Sequence, residues 1–218
     1  MKLKKIASLM LAGIMAVSML TACDTTSAGD DNDGVKPPVD NTTPASYSQT
    51  ILDGVSGDER SIMAAADSDM LTTAVVAAGA SLNGFDDIHD LIKYGQGNLK
   101  VMARNYRPDS TVTRVVDGFE DNLAEDVVLK MTNDGWSLTQ TSNQRYAALY
   151  VCDTSMNETQ LNNAVSGAVS TIMDGYRDHL NATDIDYTLS VAKADVGTEA
   201  NGVTLVGIMI NVEVTHAA

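Results

Sequence analysis

The sequence predicts an α+β fold. It is a two-layer sandwich in which an antiparallel sheet of about four strands carries helices on one face, behind an Ala-rich helical N-terminal region. Three observations predict it. Leu161, Val165, Val169, Ile172, Met173, Tyr176 and Leu180 recur at three- and four-residue steps, the clearest helical stripe in the chain. Val206, Ile208, Ile210, Val212 and Val214 alternate and place β-branched side chains on one face of a strand. Polar turn runs join strand to strand at Thr141 to Gln144 and at Gly197 to Gly202, so the neighbours pair as hairpins.

The chain begins with Lys2, Lys4 and Lys5 ahead of an uncharged, mostly apolar run from Ile6 to Leu20. A basic start and a short apolar stretch mark an export signal, and the run falls short of the about 20 apolar residues that span a bilayer. It closes on Leu20-Thr21-Ala22-Cys23, which resembles the lipobox of bacterial lipoproteins at all four positions. The resemblance is confined to the leader, residues 1–22 with Cys23. It implies that residues 1–22 are a signal peptide cut before Cys23, and that Cys23 carries a diacylglycerol (palmitate-type chains) and anchors the mature chain to a lipid bilayer, facing outside the cytoplasm. Two acyl chains hold a protein stably where one does so only marginally. In lipoproteins of enteric bacteria an Asp after the Cys, here Asp24, tends to keep the protein at the inner membrane, a rule that applies only to a host with an outer membrane.

Residues 23–48 read as an acidic, proline-bearing linker. They hold Pro37, Pro38 and Pro44 with many Asp, Thr, Gly and Ser residues, and have too few large apolar side chains to order themselves. As a flexible coil this tether reaches roughly 25–30 Å. Its Asp30-Asp31-Asn32-Asp33-Gly34 run lacks the spacing of a calcium loop. Residues 49–218 then form one globular domain of ordinary size.

The net charge is −15. Removing the leader takes away three lysines and no acids, which makes it −18. Such a chain lacks the basic face that phosphate binding needs, so nucleic acid is excluded as a partner. The same balance excludes an electrostatic hold on anionic lipid. With Cys23 given to the lipid, Cys152 has no intrachain partner, so the fold has no disulfide. Cys152 ends the apolar run Tyr146-Ala147-Ala148-Leu149-Tyr150-Val151 and reads as a buried small hydrophobe rather than a nucleophile.

In order, Asp58 to Ala80 shows a helical stripe through Ile62, Met63, Ala66, Met70, Ala74 and Val75, broken at Gly84. Phe85, Ile88, Leu91 and Ile92 repeat the spacing as far as Gly95 and Gly97, and Leu99 to Ala103 is a short strand or helical turn. Pro108-Asp109-Ser110 opens an amphipathic helix through Val112, Val115, Val116, Phe119, Leu123, Val127 and Met131, ending near Asn133 and Gly135. Gly118 within it costs about 1 kcal/mol against Ala. Trp136 to Gln140 and Tyr146 to Cys152 read as two strands of a hairpin. Ser155-Met156-Asn157-Glu158 fits a capping box at the start of the Leu161 helix. Ile185, Tyr187, Leu189 and Val191 alternate in the next strand.

Chemistry is sparse. His89, His179 and His216 show no metal-ligand spacing, and no nucleophile elbow or glycine-rich phosphate loop is present. On a helix, Asp86, His89 and Asp90 share a side that suits a hard cation or zinc, although acids in a first turn also complement the helix dipole. Glu120, Asp121, Glu125 and Asp126 offer paired carboxylates for glycoside chemistry, or simply a solvated face. Trp136, Tyr146 and Tyr150 offer a sugar platform, or core aromatics. His179 beside Asp178 sits where a helix C-terminus favours a cation. No catalytic residue, metal or cofactor follows. The expected function is a membrane-tethered, non-catalytic binding or structural module of the cell envelope. The alternative is an envelope hydrolase with dispersed carboxylates. A transporter's substrate-binding lipoprotein, usually two α/β lobes, would need a longer chain.

Overall fold

The computed structural model describes residues 46–104, 110–139, 141–174, 185–198 and 200–215. The leader, Cys23, the tether to residue 45, Pro108, Asp109, Gln140, Tyr176, Asp178, His179, Leu180 and His216 lie outside the described residues.

The chain is α+β, with its helices packed against a mixed, open, six-stranded sheet. In chain order the helices are α1 (Tyr47–Asp53), α2 (Gly57–Arg60), α3 (Asp69–Ala80), α4 (Phe85–Gly95), α5 (Thr111–Glu120) and α6 (Glu158–Asp174). The strands are β1 (Met63–Ala65), β2 (Lys100–Val101), β3 (Val127–Leu129), β4 (Gln144–Asp153), β5 (Ile185–Thr198) and β6 (Asn201–Val214). The sheet order is β1-β5-β6-β4-β2, with β3 beside β2 on the outer edge of β4. β5 and β6 pair antiparallel, as the hairpin argument requires, β4 pairs antiparallel with β6 and with β2, and β1 on β5 and β3 on β4 are parallel.

Helices cover both faces of the sheet, not one. Tyr146, Ala148, Tyr150, Leu189, Ile208 and Ile210 point to one core, closed by α1 and α6. Ala147, Leu149, Val151, Ala192, Leu205 and Met209 point to a second core, closed by α3, α4 and α5. The reason is visible in β6. The residues between those of its alternating face are Val203, Leu205, Gly207 and Met209, so both faces are apolar and both must leave water. Gly207 is where the second layer comes closest: a Cβ there would stand 2.6 Å from Val75 Cγ2 and 3.0 Å from Leu71 Cδ1 of α3.

The helix expected over Asp58 to Ala80 is three elements. Met63–Ala65 leaves the helical path to pair with Tyr187–Leu189. Ser68, in extended backbone, restarts a helix by accepting from the Leu71 amide. An Ala-rich stripe fits a helix and a short buried strand equally well, so the pattern alone could not place the break. Ser46, the first described residue, caps α1. Ser48 is buried, and its hydroxyl receives the Val191 amide at 2.9 Å while donating to Asp67 at 2.6 Å.

The helix expected through Met131 stops at Glu120. Val127, Val128 and Leu129 keep a helical phase by coincidence, but they run beside Arg145–Ala147 as a parallel strand. Ser110 caps α5 as expected. Gly118 gains a role: a Cβ there would sit 3.3 Å from Ala77 O and Ser81 Cβ, so its small size lets α5 lie against α3.

Trp136 to Thr139 is not a strand, although Trp136 and Leu138 are buried. The expected hairpin partner of β4 is replaced by β3, and Thr139 is held instead by its amide donating to the Tyr146 hydroxyl at 2.9 Å. The capping box at α6 sits two residues later than expected. The Asn157 side chain receives the Gln160 amide at 2.9 Å, and the Gln160 side chain receives the Asn157 amide at 3.0 Å.

Candidate functional site

Among the described residues, the most functionalised hollow is a cleft of about 390 Å³ at the far end of the α1/α6 face. Its floor is the β5–β6 hairpin, where inward positions turn polar after Val191. Lys193 and Asp195 of β5 and Thr204 of β6 stand where the apolar row would continue. The opening of α6 forms its wall with Met156, Glu158 and Leu161.

The charges pair within the cleft. Lys193 Nζ lies 3.2 Å from Glu158 Oε1 and 4.8 Å above the Tyr47 ring, a cation–π contact. Thr204 Oγ1 donates to Asp195 Oδ1 at 2.5 Å. The Tyr47 hydroxyl is buried without a hydrogen-bond partner among the described residues. Burial pushes that phenol well up, and the nearby Glu158, Cys152 and Asp195 push it further. Such an arrangement can hold a polar ligand, because it offers donor, acceptor and charge in one concave place.

A second hollow, about 370 Å³, lies between α6 and the chain around Asn98 and Asn133, with Tyr150 on its floor. It carries no charged side chain.

The sequence-derived candidates separate. Asp86, His89 and Asp90 are not brought together: among the described residues no group of three or more His, Cys, Asp or Glu gathers on one point. His89 instead stacks on the exposed Phe85 ring, with centroids 6.1 Å apart. Asp87 between them is structural: Arg114 Nη2 at 2.6 Å, Thr111 Oγ1 at 2.8 Å and the Asn83 amide at 2.7 Å all donate to it. The acidic group of residues 120–126 is split. Arg104 takes Asp117 and Glu120, and Arg145 grips Asp126 with two nitrogens. Trp136, Tyr146 and Tyr150 are all buried in the first core, as the packing alternative holds.

Burial tends to raise the Asp87 carboxyl, but the hydrogen bonds from Arg114, Asn83 and Thr111 outweigh it and hold the group below the usual range. A lowered carboxylate contributes stability above its unfolded value, about 3.9, and loses that contribution as pH falls through its folded value. Urea midpoints should therefore drop on acidification below about pH 4, and Asp87→Asn should flatten part of that slope. An unchanged slope would refute the role of Asp87.

Cys152 is fully buried, with Sγ facing Thr204 O at 3.9 Å. Burial, helped by Asp153 and Asp195, pushes its thiol up to about 11. The thiolate is the reactive form. The native thiol should therefore resist a disulfide reagent at neutral pH and react fully once urea unfolds the chain; rapid native labelling would contradict this.

Lys193, Asp195 and Tyr47 were not singled out by sequence reasoning. The readable signal was the alternation of β5, in which Tyr187, Leu189 and Val191 on one face are followed by Lys193 and Asp195. No protein-family model matches the chain, and searches of curated proteins and of solved structures returned no match.

Proposed function

We propose that this chain is a lipid-anchored protein held at the cell membrane through a diacylated Cys23 and facing outside the cytoplasm, and that its folded part is a non-catalytic binding or structural module of the cell envelope. The observation that carries the reading is the leader: three lysines, a short apolar run, and Leu20-Thr21-Ala22-Cys23 at its end. Among the described residues no helix is long and apolar enough to cross a membrane. Binding is supported by the cleft, in which Lys193 pairs with Glu158 while Asp195 receives the Thr204 hydroxyl on one oxygen and keeps the other for a ligand.

Mass spectrometry of the native product tests the anchor. The expected N-terminal peptide starts at Cys23 and carries a diacylglycerol thioether; a bare thiol or an attached leader overturns it. Thermal shift of the full chain against metals, glycans and peptides tests the module, and no shift with any class would sink binding. One observation favours a second reading. Glu158 and Asp195 are two carboxylates in one cleft, as a hydrolase needs. Glycan hydrolysis that is lost in Asp195→Asn would replace the binding module with that enzyme.

A further inference from the structure

We infer that the outer edge of β5, from Lys193 to Thr198, is a docking edge for an extended basic peptide segment of another protein, which adds a strand to the sheet and drops one cationic side chain into the cleft. The inference deepens the binding-module reading and rests on it, but does not depend on the lipid anchor.

The register sets which groups face outward. Leu189 O receives the Ala66 amide and Val191 N donates to Ser48 Oγ, both on the side away from β6. By the two-residue repeat of a strand, the N–H and C=O of Lys193 and Asp195 also point that way, up to Gly197, whose φ of 98° leaves the extended path. β1 covers β5 only across Tyr187–Leu189, and the Ser48 hydroxyl serves Val191 in the manner of a strand neighbour. Beyond Val191 no described strand pairs with this edge. A row of unpaired backbone groups in a strand is a template for another chain, and strand addition is a recurrent way of binding extended peptides.

Sheet edges are commonly guarded by lysines projecting along them. Here Lys193 is folded onto the Tyr47 ring and Glu158 instead, so its ammonium is committed to the helical side. Edge and cleft are one site, since Lys193, Asp195, Gly197 and Thr198 line both. A strand laid along the edge points alternate side chains to the α6 face. A lysine or arginine there has Met156 and Leu161 for its stem and the second oxygen of Asp195 for its charge. The cleft holds two carboxylates to one ammonium and the whole chain is at −15, so the complement is basic.

The test uses the full chain in detergent micelles with three end-blocked six-residue peptides, each alternating valine and threonine. One carries a central lysine, one a central glutamate and one neither. Hydrogen exchange read by mass spectrometry should show slowed exchange across residues 193–198 with the lysine peptide, and fluorescence anisotropy should show that it binds tightest. Asp195→Asn, which keeps a partner for Thr204, should weaken the lysine peptide about tenfold or more, as loss of a charge-assisted bond implies, and leave the uncharged peptide unchanged. Asp195→Pro, which removes an outward N–H without touching the β6 ladder, should abolish the protection. Protection by none of the peptides overturns the proposal. Equal binding of all three overturns the basic partner, and protection that rises with protein concentration alone reassigns the edge to a second copy. Glycan or metal binding in the thermal panel without peptide protection would leave the binding module standing and sink only this inference.

Discussion

Phe119→Ala is expected to lower the free energy of unfolding by about 3–5 kcal/mol, the range for emptying a buried aromatic site. Phe119 is fully buried on α5 in the second core, next to the residue, Gly118, at which α5 meets α3. With close backbone contact at Gly118, the two helices have little freedom to collapse into the cavity, which places the cost at the upper end. Urea unfolding checks it: the midpoint should fall with little change in slope, because the same surface is exposed on unfolding. A loss under about 1 kcal/mol would mean that α5 does not pack as described.

Ile208→Ala should cost about 2–5 kcal/mol. Ile208 is fully buried at the centre of β6, between Ala148 of β4 and Val191 of β5, and points to the α1/α6 core. It shares no core cluster with Phe119. The double variant should therefore add within about 0.5 kcal/mol, provided that enough stability remains to measure both. Strong coupling would mean that the two cores behave as one. A sheet covered on a single face makes a different prediction, since Ile208 and Phe119 would then share one core and their effects would couple. The pair of variants thus tests an architectural feature that the periodicity argument missed.

Local signals were legible where they came from the residues of the element itself. Phe85, Ile88, Leu91 and Ile92 mark α4, Ser110 marks the start of α5, and the stripe from Leu161 marks α6, because capping and a 3.6-residue repeat act over a few residues. The long antiparallel strands were legible for the same reason, although their extents were not: β5 and β6 run 14 residues each and close more tightly than the Gly197 to Gly202 loop suggested. What misled was coincidence of phase. Val127 extends the spacing of α5, and Met63 extends that of an Ala-rich helix, yet each is taken by a strand whose partner lies far away in sequence. Strands of three residues have almost no pattern of their own.

The candidate site was less legible still. Glu158 stands out in sequence only for capping, and Lys193 and Asp195 follow the alternating stretch from Ile185 to Val191 without standing out. Tyr47 had been placed in the tether, whereas it is part of α1 and supports the Lys193 ammonium. The candidates that sequence reasoning did raise, Asp86, His89 and Asp90 above all, were neighbours on one helix. Whether such neighbours act together depends on what faces them, and here Arg114 and Thr111 take the intervening Asp87.

By itself the sequence determined the class of the fold, the amphipathic helices, the three long strands, and the burial of Cys152. These follow from side-chain volume, polarity and short-range backbone preference. Only the tertiary structure decided that the sheet is covered on both faces, that the short strands β1 and β3 run parallel to their neighbours, and that among the described residues no strand pairs with the outer edge of β5 beside Lys193 and Asp195. Those depend on which distant segment fills each edge and each face, and a contact across more than a hundred residues, such as Ser48 on Val191, leaves no mark in either segment alone.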